Sequence, residues 1–475
     1  MPKKYAGILA TVILILSVAA GSWFGRRIDH IREAEAFYRW LTAAATNERL
    51  FSEKVEGEEQ DRELLLRTAE AAASMLPDGT KDASAALQTI TDWVADPANN
   101  YRLWEVVESN RLADVRAEFL RLYKAGKLSF TKDISYAQAL ASGVGVFNLF
   151  FGFRKLAANF VWLQVDRYWH QGMMHRMIPL MRTTVLLDPN FIDAYLLGAW
   201  HLAYNATAHM PDTPVPLQQW HPRYKRCLGP KETYYYIAID FLKDGIRNNP
   251  RNYKLYFDLG FGIYSEKLKD YPNAVKYLSE AVRQPHDRWV PRQLYRALER
   301  NGEYEKAIAG WKDYLKKFPD NETAPRFILR NEALMHEKQG DEMIEKAEQT
   351  QDPTEKERLL QQADVSYQKA LEVLDKMNEP FAEVRKLRIQ AVRLANTGRY
   401  PEAVAVLDKA RWQSGEYFDE LSDLIIAYKQ KGNIPLSLSE EKAVLRRAEG
   451  TRCPGMPDEG TAPHAAAVSS TSSAG

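Results

Sequence analysis

The chain has 475 residues, enough for two or three ordinary domains or for one long solenoid. Lys and Arg number 64 against 63 Asp and Glu, so no net charge draws the chain as a whole to nucleic acid, and no nucleic-acid partner is expected. Its two cysteines, Cys227 and Cys453, lie far apart and offer neither a disulfide framework nor a CxxC metal motif.

Residues 1–5 are a short basic tail. Ala6 to Phe24 (AGILATVILILSVAAGSWF) carries no charge, and its length at helical rise matches a bilayer core of roughly 30 Å. Trp23 stands where an interfacial anchor would, and Arg26 and Arg27 close the segment, so residues 6–25 are expected to be a transmembrane signal anchor. A cleaved signal peptide competes, since Val18, Ala19 and Ala20 offer a small-residue cleavage site, but the apolar run continues past it to the arginines. Lys3 and Lys4 oppose Arg26, Arg27 and Arg32, so orientation is weakly determined. A short tail inside and a long extracytoplasmic domain is the commoner arrangement and is adopted.

From Ile28 to about Thr46 the pattern is helical and amphipathic, and it reads as a stalk that continues the anchor. A Glu-rich loop over 47–60 follows, then helices over Arg62–Met75, Ala83–Val94 and Tyr101–Tyr123, broken at Leu76-Pro77-Asp78-Gly79 and Asp96-Pro97. Together, 26–133 is expected to be a stalk with irregular helix pairs. Residues 134–157 form an apolar linking helix. Its core, Ile134–Phe153, holds Gln138, Ser142, Asn148 and three glycines, which makes it a poor second span. It is expected to be buried or packed at the membrane surface.

The rest, 158–449, is repetitive. Arg288 to Pro319 shows it best: two helical patterns, Pro291–Arg300 and Tyr304–Lys317, flank a turn at Asn301-Gly302. A small residue at Ala307 lets two antiparallel helices approach, Trp311 and Leu315 fall on one face, and Pro319 stops the second helix. Gly302, Tyr304, Ala307, Trp311, Leu315 and Pro319 stand at the offsets of a tetratricopeptide repeat, which the stretch closely resembles. Six further units share the register. The first has Tyr168, a turn at Gly172, Met177, Met181, Val185 and Pro189. The second runs from Ile192, with a Pro-rich insertion at 205–231 and a second helix over Glu232–Asn248. The third spans Tyr253–Pro285 with Gly260, Ala274, Leu278 and Ala281. In the fifth, Thr323–Lys338 is expected to turn at Gly340, and Ala363, Tyr367 and Ala370 follow after a charged extension. The sixth carries Gly398, Tyr400, Ala403, Leu407 and Ala410, and a seventh begins near Phe418 and turns at Gly432. From 450 to 475 the chain lacks apolar periodicity and is expected to be disordered.

The stretch from Phe153 to Asn205 is similar to membrane-anchored bacterial tetratricopeptide proteins. The resemblance implies an all-α fold, a right-handed superhelix of antiparallel helix pairs on an N-terminal anchor, and a scaffold with no activity of its own.

No GxSxG, Walker A, HExxH or GxGxxG motif occurs, so neither enzyme chemistry nor a cofactor is expected. His170, His175, His201, His209, His221 and Cys227 cluster in sequence as a metal site would, but none pairs at i, i+4 with a supporting ligand; hydrogen-bonded histidines around the insertion are the plainer account. The insertion, with Trp220 and Tyr224, would serve equally as a partner-binding loop or as a cover for an apolar edge. Tyr234, Tyr235, Tyr236, Tyr253, Tyr256, Phe257 and Phe261 would suit an aromatic ligand surface but at helical spacing read better as core.

In tetratricopeptide domains the first helix of each pair lines a groove. Register then aligns Arg292, Arg296 and Arg300 at i, i+4 spacing with Arg330 in the next unit and Arg385 and Arg388 in the one after. Guanidinium groups hold carboxylates at two points, so this surface suits an acidic protein or peptide segment. The competing account pairs these arginines with local acids such as Glu299 and Glu332. Three roles are expected in order: an interaction scaffold at the bacterial cell envelope; a structural subunit of a secretion, pilus or polysaccharide-export complex; and an envelope enzyme with its site in the insertion.

Overall fold

The structure is a computed structural model, and it describes residues 33–47, 58–73, 75–76, 83–131, 146–214, 217–413, 415, 417–448 and 453–457. The expected anchor at 6–25, residues 134–145 of the apolar stretch and the tail beyond 457 lie outside the described residues. No helix among the described residues is long and apolar enough to cross a membrane. The chain falls into two compact units. One joins Met1–Ala199 with Asp240–Leu259 and Ser279–His286; the other joins Trp200–Ile239 with Gly260–Leu278 and Asp287–Gly475.

The first unit opens with a helix over 33–45 (α1), followed by Glu59–Ala73 (α2), Ala83–Ala95 (α3), Asn100–Glu108 (α4) and Ala113–Lys124 (α5). Their apolar faces close one core around Phe37, Trp40, Leu41, Leu65, Ile90, Leu103 and Phe119. The Phe119 ring meets Phe37 edge-on at 5.3 Å and Trp40 at 5.6 Å. Asp61 is buried at the centre because both carboxylate oxygens have donors: Trp40 Nε1 at 2.7 Å and the Ser129 backbone N–H at 2.7 Å. Over its described part, the expected stalk is therefore a core helix. Phe37, Trp40, Leu41 and Ala44 recur at helical spacing, and that face is buried rather than solvated.

Val146–His170 (α6) and Met174–Leu187 (α7) form the hairpin predicted around Gly172. Ile192–Trp200 (α8) runs on into a π-helical turn at His201–Asn205, and Tyr253–Phe257 (α10) into another at Asp258–Ser265. Between them lies Pro230–Asn248 (α9), and Tyr271–Arg283 (α11) follows. The insertion folds as a two-stranded antiparallel ribbon, Gln219–His221 (β1) and Arg226–Leu228 (β2), with Trp220 opposite Cys227.

Eight helices among the described residues follow in the second unit. They are Val290–Arg300 (α12), Tyr304–Lys317 (α13), Thr323–Gln349 (α14), Pro353–Leu374 (α15), Pro380–Asn396 (α16), Tyr400–Gln413 (α17), Phe418–Lys431 (α18) and Leu438–Ala448 (α19). Successive helices from α12 to α18 pack against one another as helix pairs. The turn between α12 and α13 uses Gly302 at φ +73°, a conformation costly for any residue with a Cβ. Ala307 is fully buried, and Trp311 stacks on Phe327 of α14 at 4.9 Å. Gly340 corrects the sequence expectation. It does not turn the chain but lies inside α14, where an added Cβ would sit 2.7 Å from the Tyr367 ring of α15. The glycine is there for close approach, so the charged extension is mostly the continuation of the same helix.

Candidate functional site

The aligned arginines divide into two groups. Arg385 and Arg388, one turn apart on α16, are both buried. Arg385 donates to Glu337 on α14 through Nε (2.9 Å) and Nη2 (2.8 Å), and to Glu420 on α18 through Nη1 (3.0 Å). Arg388 donates to Glu337 (2.6 Å), Asp341 (2.8 Å) and Glu420 (2.9 Å). Burial alone would lower both guanidinium pKa values, but Glu337 and the other acids outweigh it and raise them, so both stay charged. Burial pushes the Glu420 carboxyl up, but Arg385 and Arg388 outweigh that effect and hold it below its usual range.

Arg330 on α14 is nearly as enclosed. Its Nε donates to Glu299 at 2.8 Å, and Nη2 donates to the Tyr417 hydroxyl at 2.6 Å. The second oxygen of Glu299 accepts from Asn331 at 2.7 Å. These three arginines therefore do not line an open basic groove, as the sequence suggested. Glu299, Glu337, Asp341 and Glu420 neutralise them, and an external carboxylate would have to break buried ion pairs to reach them.

Aromatic rings connect the two groups. Arg330 lies over the Phe381 ring at 4.4 Å and over Phe327 at 5.7 Å, and Arg385 lies over Tyr417 at 4.8 Å. Arg296, on the exposed side of α12, also stands 5.7 Å from Phe327. Arg296, Arg330 and Arg385 thus lie on α12, α14 and α16 beside the rings of Phe327, Phe381 and Tyr417. Arg292 is half-buried and, like Arg296, makes no ion pair among the described residues; Arg300 is half-buried as well. Glu299 pairs with Arg330, as the competing account had it, but Glu337, Asp341 and Glu420 were missed, although Glu337 and Asp341 at i, i+4 carry the same kind of signal as the arginines they face.

The insertion yields a second correction. Cys227 and Cys453 form a disulfide (Cα–Cα 5.8 Å) across 226 residues. The Trp220 backbone N–H donates to the Pro454 carbonyl at 3.0 Å. Residues 453–457 are thus fixed on the ribbon instead of belonging to a loose tail, and Cys227 cannot serve as a metal ligand. No group of three His, Cys, Asp or Glu among the described residues is placed to hold a metal ion. His221 meets the Tyr224 ring at a tilt, 4.5 Å between centroids, and Tyr224 meets Tyr236 likewise at 4.9 Å, so the ribbon covers part of α9. Tyr235, Tyr256 and Phe257 are core residues.

These hairpins define a nearly all-helical protein built of stacked helix pairs over the described residues. No protein-family model matches the chain. No curated protein matches it either. Among solved structures, it is similar to yeast Tom70 at 14% identity, over 81% of this chain and 89% of that one, with a TM-score of 0.23. It is also similar to the human IFIT1 dimer with PPP-AAAA at 14% identity, over 87% of this chain and 86% of that one, with a TM-score of 0.21. At such scores neither likeness bears on ligand or role.

Proposed function

We propose that the chain is a non-enzymatic scaffold that binds an acidic protein or peptide segment, held at a bacterial cell envelope by residues 6–25. The observation that carries this is the open end of the arginine–aromatic line. Arg296 is exposed, Arg292 is beside it one turn away, and neither makes an ion pair among the described residues, whereas Arg330, Arg385 and Arg388 are neutralised from within. The buried arginines act as a frame that fixes α12, α14 and α16, and the surface cations at its edge are left to recognise carboxylates. The Cys227–Cys453 disulfide supports a non-reducing, extracytoplasmic setting for the helical domain.

A fluorescent oligo-glutamate peptide tests the ligand class. Binding should weaken steeply with salt and fall about tenfold or more in Arg292→Glu/Arg296→Glu, with thermal unfolding unchanged. Equal binding by that variant would remove this surface from consideration.

A further inference from the structure

Helix α6 has two apolar faces. Successive residues turn by about 100°, so Ala158 and Val165 share one side, and both are fully buried. Trp162, adjacent to that side, meets Phe191 at 6.0 Å. On the opposite side Leu156, Phe160 and Leu163 fall within about 60° of one another, and they are 46%, 61% and 59% exposed. A surface helix needs one apolar stripe to hold its fold; a second stripe of large side chains facing outward marks an interaction surface.

We infer that this stripe docks on a lipid surface, with α6 lying along the headgroup boundary. The chain leading into it chooses that occupant. Ile134–Phe153 contains no Asp, Glu, Lys or Arg, and in sequence only Arg154 and Lys155 separate it from the first residue of the exposed stripe. The first charges after it are Arg154 and Lys155, and Arg167 continues the stripe one turn beyond Leu163, exposed. Arg167, in line with the outward apolar stripe and exposed, matches anionic headgroups above buried acyl chains, while Lys155 and the exposed Asp166 fall on the flank of the stripe. A protein partner would not require so long an uncharged approach. The inference is independent of the acidic-ligand surface and of an anchor at residues 6–25.

The test uses the full chain with Gln164→Cys carrying a polarity-sensitive fluorophore, and Lys369→Cys as a remote control. Cys227 and Cys453 are paired with each other and do not compete for the label. Vesicles of phosphatidylcholine and phosphatidylglycerol contain nitroxide-labelled lipid. The label at 164 should shift to the blue and be quenched, and the label at 369 should not. Leu156→Ser/Phe160→Ser/Leu163→Ser should reduce the quenching at 164 about tenfold with helicity unchanged. If that variant still pellets with vesicles, residues 6–25 hold it there; if it no longer pellets while the parent does, the stripe stands and the anchor fails. The inference is overturned by an unquenched 164 label on a vesicle-bound chain, by a parent chain that does not associate, or by a 164 label already screened in a lipid-free dimer.

Discussion

Arg385 and Glu337 meet in a two-point ion pair between α16 and α14, with side chains 5% and 2% exposed. Glu337 also accepts from Arg388, so one carboxylate compensates two buried cations. Removing it leaves both without their nearest partner. Glu337→Ala should therefore destabilise the second unit by about 3–5 kcal/mol in urea unfolding. Replacing Glu337, Arg385 and Arg388 by apolar side chains of similar volume, together with Asp341→Asn and Glu420→Gln so that no acid is left without its cation, should recover most of that loss. A Glu337→Ala chain that unfolds at the parent's midpoint would show that the network holds nothing together.

Ala307 has no exposed surface, and Trp311 on the same helix stacks on Phe327. Ala307→Arg places volume and an unpaired charge at a fully buried position. A loss of several kcal/mol is expected, read as a lower thermal midpoint.

The Cys227–Cys453 bond closes a loop of 226 residues and fixes 453–457 on the ribbon. Cys227→Ser/Cys453→Ser should cost about 2–5 kcal/mol, chiefly by freeing the unfolded chain. It should also expose the segment after α19 to limited proteolysis, and reduction of the parent chain should reproduce both effects.

Asp258 begins the π-helical segment after α10, where burial raises its pKa from 3.8 to about 6 and Lys254 offsets this only in part. Its folded pKa lies above its unfolded one, so folding takes up a proton between them. The stability tied to that proton is complete below about pH 4 and lost as pH rises through about 6. The residue is only half-buried, so the solvent-discounted loss is about 1–2 kcal/mol. Asp258→Asn should be more stable than the parent by about that amount at pH 7, and the difference should vanish near pH 4.

The hairpins were legible because each satisfies local rules at once. Gly302 and Gly398 end helices in the left-handed region, and Ala307, Ala363, Ala370, Ala403 and Ala410 are all buried where spacing put them. Gly340 misled because a helix-interior glycine chosen for its missing Cβ looks, in sequence, like a turn glycine. The arginine spacing was legible, and so was Glu299 as a partner, but the neutralisation of Arg385 and Arg388 was not, since Glu337 and Glu420 come from helices 48 and 35 residues away from Arg385. Nor does spacing reveal that two cysteines so far apart are joined.

The bond between Cys227 and Cys453 also alters how the chain carries a load. Tension applied between the two termini passes from the ribbon straight to residue 453 and skips everything between them. Helices α9 to α19 lie within that shortcut and bear no direct pull, whatever their individual strength. On reduction, roughly 750 Å of extended chain becomes available to stretching, and the helix stack becomes a series of extensible links instead of a shielded ring.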